Sequence, residues 1–249
     1  RVHPRAELIA AYRHEREEPL AVDSDFSFWN GDEAFAPNRE ARDGRLASLI
    51  VGATVDGAGF EGESLEATYR RHQLASLFGE RLAAPEHDSD VAPRWRLDWT
   101  SEVSSSGALG GDFDFTRHIL VARTELPLSR HQAVAARAIA GWSTGALPPQ
   151  RLFSAGGIGS VHGYDFKEQT GDSLALGNLE YALGDLTGLR VIGFVDAGRA
   201  TDRSSATNPA WLKGTGFGIG MGSVRLDFGY QLDRIPSSLQ FLLRFTRNF

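Results

Sequence analysis

The 249-residue chain contains no cysteine and a single methionine. Without cysteine, a disulfide scaffold and a thiolate-ligated metal are both excluded. The chain also lacks any apolar run approaching the ~20 residues that a membrane-spanning helix requires; SLIVGA at 48–53 is typical of its longest. Positive charge is not in excess. With 26 Lys and Arg against 32 Asp and Glu, the formal net charge of −6 argues against a general nucleic-acid binder, which carries a basic face. No secretory leader pattern opens the chain, because RVHPRAEL runs directly into alternating sequence. The start reads as that of a processed or excised domain.

Recognised chemical motifs are missing as well. FSAGGIGSVHGYDF at 153–166 is rich in glycine. Yet Gly157, Gly159 and Gly163 fit neither GxGxxG nor GxxxxGK followed by Ser or Thr, and no amphipathic helical pattern follows. The seven histidines at 3, 14, 72, 87, 118, 131 and 162 show no HExxH and no zinc spacing. EHDSD (86–90) and DSD (23–25) gather carboxylates that could hold a hard cation, but such clusters also serve as solvated loop tips. Ser160 lies two residues before His162 without a GxSxG elbow, and only geometry can reveal a triad built from distant residues. The expectation is no cofactor, no metal and no catalytic group.

What the chain has in quantity is period-two alternation. In VRLDFGYQL (224–232), Val224, Leu226, Phe228 and Tyr230 share one face, with Arg225, Asp227, Gly229 and Gln231 on the other. WRLDWTSEV (95–103) sets Trp95, Leu97 and Trp99 against Arg96, Asp98 and Thr100. FLLRFTRNF places Phe241, Leu243, Phe245 and Phe249 together, with Arg244, Thr246 and Asn248 behind. Strands are predicted at 4–16, 20–30, 44–56, 62–73, 93–105, 113–127, 131–144, 173–184, 189–200, 212–222, 223–231 and 239–249. That is twelve, or ten if 20–30 and 62–73 are loops; either even number leaves both ends of the sheet on one side. A short helix is possible within 74–92, and TDRSSATNPA (201–210) reads as a solvated loop.

A soluble β-sandwich also alternates. Three features favour a membrane instead: strands near the ten residues that a tilted crossing needs, full charges on the polar face, and aromatic residues ending the apolar face. The predicted fold is therefore all-β: one transmembrane antiparallel up-and-down β-barrel over 1–249, with membrane lipid as its partner. Charge placed on the lipid face, as in Leu226→Arg, is expected to cost far more than a lumen change such as Arg225→Leu.

Six stretches then occur in order: LPLSRHQAVAARAIAGWSTG, FSAGGIGSVHGY, LALGNLEYAL, GFVDAGRA, GTGFGIGMG and a terminal strand ending in Phe249. Together they resemble the carboxyl-terminal barrel of the bacterial surface-antigen superfamily, the group of the BamA/TamA-type outer-membrane assembly factors and the two-partner-secretion transporters. The match is good over 112–249 and thin before it. The resemblance implies a location in the bacterial outer membrane and a role in inserting or exporting unfolded or partly folded polypeptide. It also implies that the 145–172 loop folds back into the barrel as a plug. The motif positions are Gly156, Gly157, Val161, His162, Gly163 and Tyr164, and the terminal-strand signal is Phe245 and Phe249.

In that family an arginine of the loop meets acids on the next two strands; by position these are Glu180 in GNLEY and Asp196 in FVDAG. His162 stands where the arginine would be. Two carboxylates beside an imidazole favour its protonated form, so His162 is either the cationic contact or simply a polar loop residue. In GTGFGIGMG, Gly216, Gly218, Gly220 and Gly222 leave one face bare, which makes room for the loop or for a barrel bend. The family's periplasmic POTRA repeats are absent from 1–249, and the predicted barrel is smaller than the family's usual one. The chain could thus anchor or export a periplasmic domain missing from this sequence. A lipid-modifying barrel enzyme is a third reading.

Overall fold

A computed structural model describes residues 5–19, 41–57, 93–157, 159–185, 188–205, 208–222 and 224–245. Within them the alternating stretches form one antiparallel sheet of ten strands. These are β1 (Arg5–Glu17), β2 (Gly44–Asp56), β3 (Arg94–Ser104), β4 (Phe115–Ser129), β5 (Gln132–Gly145), β8 (Ser173–Gly184), β9 (Leu189–Thr201), β10 (Leu212–Met221), β11 (Val224–Gln231) and β12 (Gln240–Phe245). Each pairs with the next in sequence, so the order is a simple meander. Between β5 and β8 the chain makes a single 3-10 turn (Pro149–Arg151) and a small hairpin, β6 (Phe153–Ala155) with β7 (Gln169–Gly171). Neither hairpin strand was expected from the sequence. They are three residues each, too short to show a period. The segments 20–30, 62–73 and 74–92, and the acidic clusters at 23–25 and 86–90, lie outside the described residues.

Burial in this sheet is inverted relative to a soluble protein. Alternate residues that face the concave side are buried and charged: Arg96 is 1% exposed, Asp98 0%, Arg225 1% and Asp227 0%. Those that face out are apolar and open, with Leu8 at 83% and Phe241 at 63%. Leu49, Val51, Leu97, Leu179, Tyr181, Val191, Val195, Phe217, Ile219 and Leu243 continue this outer face. A water-soluble sandwich would bury the apolar set, since large contiguous apolar surface is not left open to water. The outer face matches lipid, and the charged inner face matches a polar lumen. Backbone groups in that setting must be satisfied by neighbouring strands, which the continuous ladder supplies from β1 to β12.

The lumen charges are paired, as buried charges must be. Arg96 Nε donates to Asp98 Oδ1 at 2.8 Å, and Thr54 Oγ1 donates to the same oxygen at 2.7 Å. Ser48 Oγ donates to Glu102 Oε1 at 2.9 Å. The 145–172 loop supplies the apolar filling. Ala155 and Val161 pack with Leu176, Ala200 and Leu212, and Phe153 packs with Ile119 and Val121. On the outer face, Phe217 stacks on Phe228 (centroids 4.7 Å apart), and Phe228 meets Phe241 edge-on at 5.3 Å. This row of rings runs across β10, β11 and β12.

β1 and β12 are the two edges of the sheet, and among the described residues no ladder joins them. The ends at Arg5 and Phe245 lie on the same side as the short turns after β4, β8 and β10. The opposite side carries the connections after β1, β3, β5, β9 and β11, including the loop that turns inward.

Candidate functional site

The loop enters the lumen through two tight glycines. Gly157 and Gly163 have φ of 83° and 85°, a left-handed backbone that only glycine adopts without strain. The second aims the neighbouring His162 at the barrel wall. His162 is 3% exposed. It rests on two glycines of the wall: a Cβ added at Gly229 would lie 2.8 Å from His162 Cβ, and one at Gly214 would lie 2.5 Å from the His162 carbonyl. The bare glycine face of β10 is thus only partly a berth for the loop. Gly216 is covered by the Phe194 ring and Gly220 by Arg190, side chains of β9 that use the missing Cβ atoms themselves.

Asp196 on β9 holds His162 twice. Its Oδ2 accepts the His162 backbone N–H at 3.2 Å and lies 2.5 Å from Nδ1. Its other oxygen, Oδ1, accepts from Asn178 Nδ2 at 2.7 Å. Asn178 Nδ2 also donates to the Ser160 carbonyl at 2.7 Å, so one amide ties loop and wall together. Arg137 on β5 completes this side, donating to Asn178 Oδ1 at 2.7 Å and to the Gly159 carbonyl at 2.5 Å. The Phe194 ring lies 4.3 Å from the imidazole, centroid to centroid. Further along, Gln231 Nε2 donates to the Gly163 carbonyl at 2.9 Å, and Tyr164 Oη accepts from the Lys213 N–H at 3.2 Å. Gly156, Gly157 and Val161 of the loop are buried.

The other imidazole nitrogen, Nε2, meets the guanidinium Nη2 of Arg244 on β12. A guanidinium can only donate. Nε2 therefore accepts, and the ring proton sits on Nδ1, where it is donated to Asp196. Arg244 Nε pairs with Asp227 Oδ2 at 2.9 Å. Asp227 Oδ1 accepts from Arg225 Nε at 2.6 Å, and Arg225 Nη1 donates to Glu180 Oε2 at 2.9 Å. This connected chain holds three carboxylates (Glu180, Asp196, Asp227) and three guanidiniums (Arg137, Arg225, Arg244).

Of the two acids expected at the histidine, the structure brings one to it. His162 meets Asp196 and not Glu180, whose carboxylate is taken by Arg225. The guanidinium that reaches the imidazole is that of Arg244, from the terminal strand. Sequence reading placed Arg244, Arg225 and Asp227 on the lumen face by parity but could not say which charges meet. Asn178 and Arg137 carried no signal beyond the same inward parity. Phe245 pairs with Val224 at the end of the sheet, and Phe249 lies outside the described residues.

The loop is also tied where it begins. Arg151 Nη2 donates to Glu17 Oε1 at 2.8 Å and to Glu15 Oε2 at 3.3 Å, both on β1. Gln150 Nε2 donates to Glu17 Oε2 as well. Among the described residues no group of three or more metal-ligating side chains converges. The Ser160 hydroxyl accepts the Gly156 N–H at 3.1 Å, and both nitrogens of His162 are already engaged.

The Omp85 superfamily domain profile matches residues 22–245. This chain belongs to the Omp85 superfamily. Omp85 proteins are bacterial outer-membrane β-barrels, and the inverted burial of this sheet has its physical cause in that setting. Among solved structures, CdiB from Acinetobacter baumannii resembles the chain with a TM-score of 0.54 at 16% identity, over 82% of this chain and 34% of that one. BamA from Haemophilus ducreyi lacking POTRA domains 1–3 matches at 0.53 and 12%, over 83% and 54%. CdiB from Escherichia coli matches at 0.52 and 17%, over 81% and 36%. These likenesses are of fold. This Omp85 chain spans about half or less of the length of those structures. Comparison with curated proteins gives no match.

Proposed function

We propose that this Omp85 chain is the barrel part of a machine that inserts or exports polypeptide at the outer membrane, and that it works without covalent chemistry. The observation that carries this reading is the loop seated inside an apolar-out, charged-in sheet whose two edges, among the described residues, are not laddered together. A lumen filled by its own chain conducts little by itself, and an unpaired strand edge offers backbone groups to an incoming segment. Hydrogen-bonded occupation of both His162 nitrogens supports the absence of catalysis, because a general base needs a free lone pair within reach of its proton. The 1–249 segment reads as one domain.

The test is a reconstitution. Vesicles containing the chain, and empty vesicles, are offered an unfolded outer-membrane barrel client, and its insertion is followed by heat-modifiable gel migration. Faster insertion into the protein-containing vesicles is expected. Equal rates, together with phospholipid turnover in mixed micelles, would replace this reading with that of a lipid-modifying enzyme.

A further inference from the structure

The inward loop touches both edges of the open sheet. Its entry turn holds β1, through Arg151 to Glu17 and Glu15 (2.8 and 3.3 Å) and through Gln150 to Glu17. Its apex holds β12, through His162 to Arg244, and holds neighbouring β11 through Gln231 to the Gly163 carbonyl at 2.9 Å. Only about ten residues separate these two grips along the chain (Arg151 to His162). The piece between them is anchored by Arg137 and Asn178 and packed by Val161, so it is not a slack tether.

We propose that the loop is an internal staple across the seam: by gripping β1 at one end and β12 at the other, it sets the distance between the two edge strands. Both grips are charged contacts largely withdrawn from water. On β1, Arg151 and Glu17 are 11% and 15% exposed, with Glu15 half exposed beside them. On β12, Arg244 is 15% exposed and is bound into the charge chain through Asp227. Losing either grip frees one edge strand from the loop.

The chain has no cysteine, so paired spin labels can be introduced without background. Labels at Tyr12→Cys on β1 and Phe241→Cys on β12 report the seam; both side chains are exposed on the outer face. Distances are measured by pulsed electron resonance on the full chain in lipid nanodiscs with no substrate present. Arg151→Ala is expected to lengthen the mean distance and broaden its distribution. Arg151→Lys should restore much of the wild-type profile. Should Arg151→Ala not fold, Glu17→Gln tests the same grip from the other side.

Unchanged distributions in either folded variant would overturn the staple. So would an equal change from Arg5→Ala, which removes a β1 ion pair with Asp56 at the end the loop does not touch. Because no client is present, failure here leaves the insertion reading standing, and failure of insertion leaves the staple standing.

Discussion

The imidazole of His162 lies between a carboxylate that accepts a hydrogen bond from it and a guanidinium that donates one to it. Each neighbour specifies which nitrogen does what, so the ring works as a spacer between Asp196 and Arg244. An arginine at 162, the residue the family resemblance led us to expect, would set two guanidiniums against each other. His162→Arg should therefore loosen the loop: limited proteolysis in detergent should cut within 153–166 faster than in wild type. Adding Arg244→Leu should slow cleavage again, because one cation then faces the carboxylates. If the single variant is as protected as wild type, Arg244 is not a partner of residue 162. The sequence showed His162 to be out of place in its motif but not what replaces the lost charge, since the compensating residue lies 82 positions away. Glu180 shows the same limit. Its position in GNLEY gave the correct face, but its partner was decided by how β8 lies across the lumen from Arg225.

At the scale of elements, the strands were the most legible part. Alternation in 95–103 and 224–232 named the faces that the fold then used, because a pleated strand with one dry side has no other register. Short features were not legible: the hairpin of β6 and β7, and the single helical turn at Ser106–Leu109 between β3 and β4. That turn is built from carboxylates. Asp114 accepts from the Ser106 hydroxyl at 2.6 Å and from its N–H at 2.8 Å, which lowers its pKa. Asp112 accepts the Arg45 N–H at 2.7 Å and faces the Arg45 guanidinium, and it too is lowered. A folded pKa below the unfolded one adds stability above the ordinary carboxylate range, and the gain disappears as pH falls through the folded value. Amide protection of 105–114, measured by hydrogen exchange, should be constant from pH 7 to about 5 and decline below about 4. Asp114→Asn should lose part of that protection at neutral pH and flatten the profile. Equal profiles for variant and wild type would remove Asp114 from the account.

For the whole molecule, lipid outside and paired charge inside make two kinds of substitution costly for opposite reasons. Leu226→Arg puts a charge toward lipid and should cost about 2–4 kcal/mol near the midplane. Arg225→Leu was expected from the sequence to be mild. The structure reverses that, because removing Arg225 leaves Glu180 without its partner and Asp227 with only Arg244. Breaking a buried pair from one side costs about 3–5 kcal/mol. Urea titrations of the two variants in vesicles should therefore give comparable losses, and a mild Arg225→Leu would mean that the lumen network is wetter than its burial indicates. A lumen is tolerant only where its charges are solvated, and parity does not reveal solvation.

The row of phenylalanines on the outer face makes the two sides of the seam mechanically unequal. Phe217, Phe228 and Phe241 interlock β10, β11 and β12 into a stiff post, backed on the inner side by Arg225, Asp227 and Arg244. Among the described residues, β1 turns Leu8 and Tyr12 outward as its large apolar side chains and is laddered to β2 alone, through thirteen residue pairs against the six that join β12 to β11. The two edges are thus held by unlike means, one by a long ladder and the other by a short ladder braced with stacked rings. Fraying the seam costs mainly backbone hydrogen bonds on the β1 side and ring contacts on the β12 side.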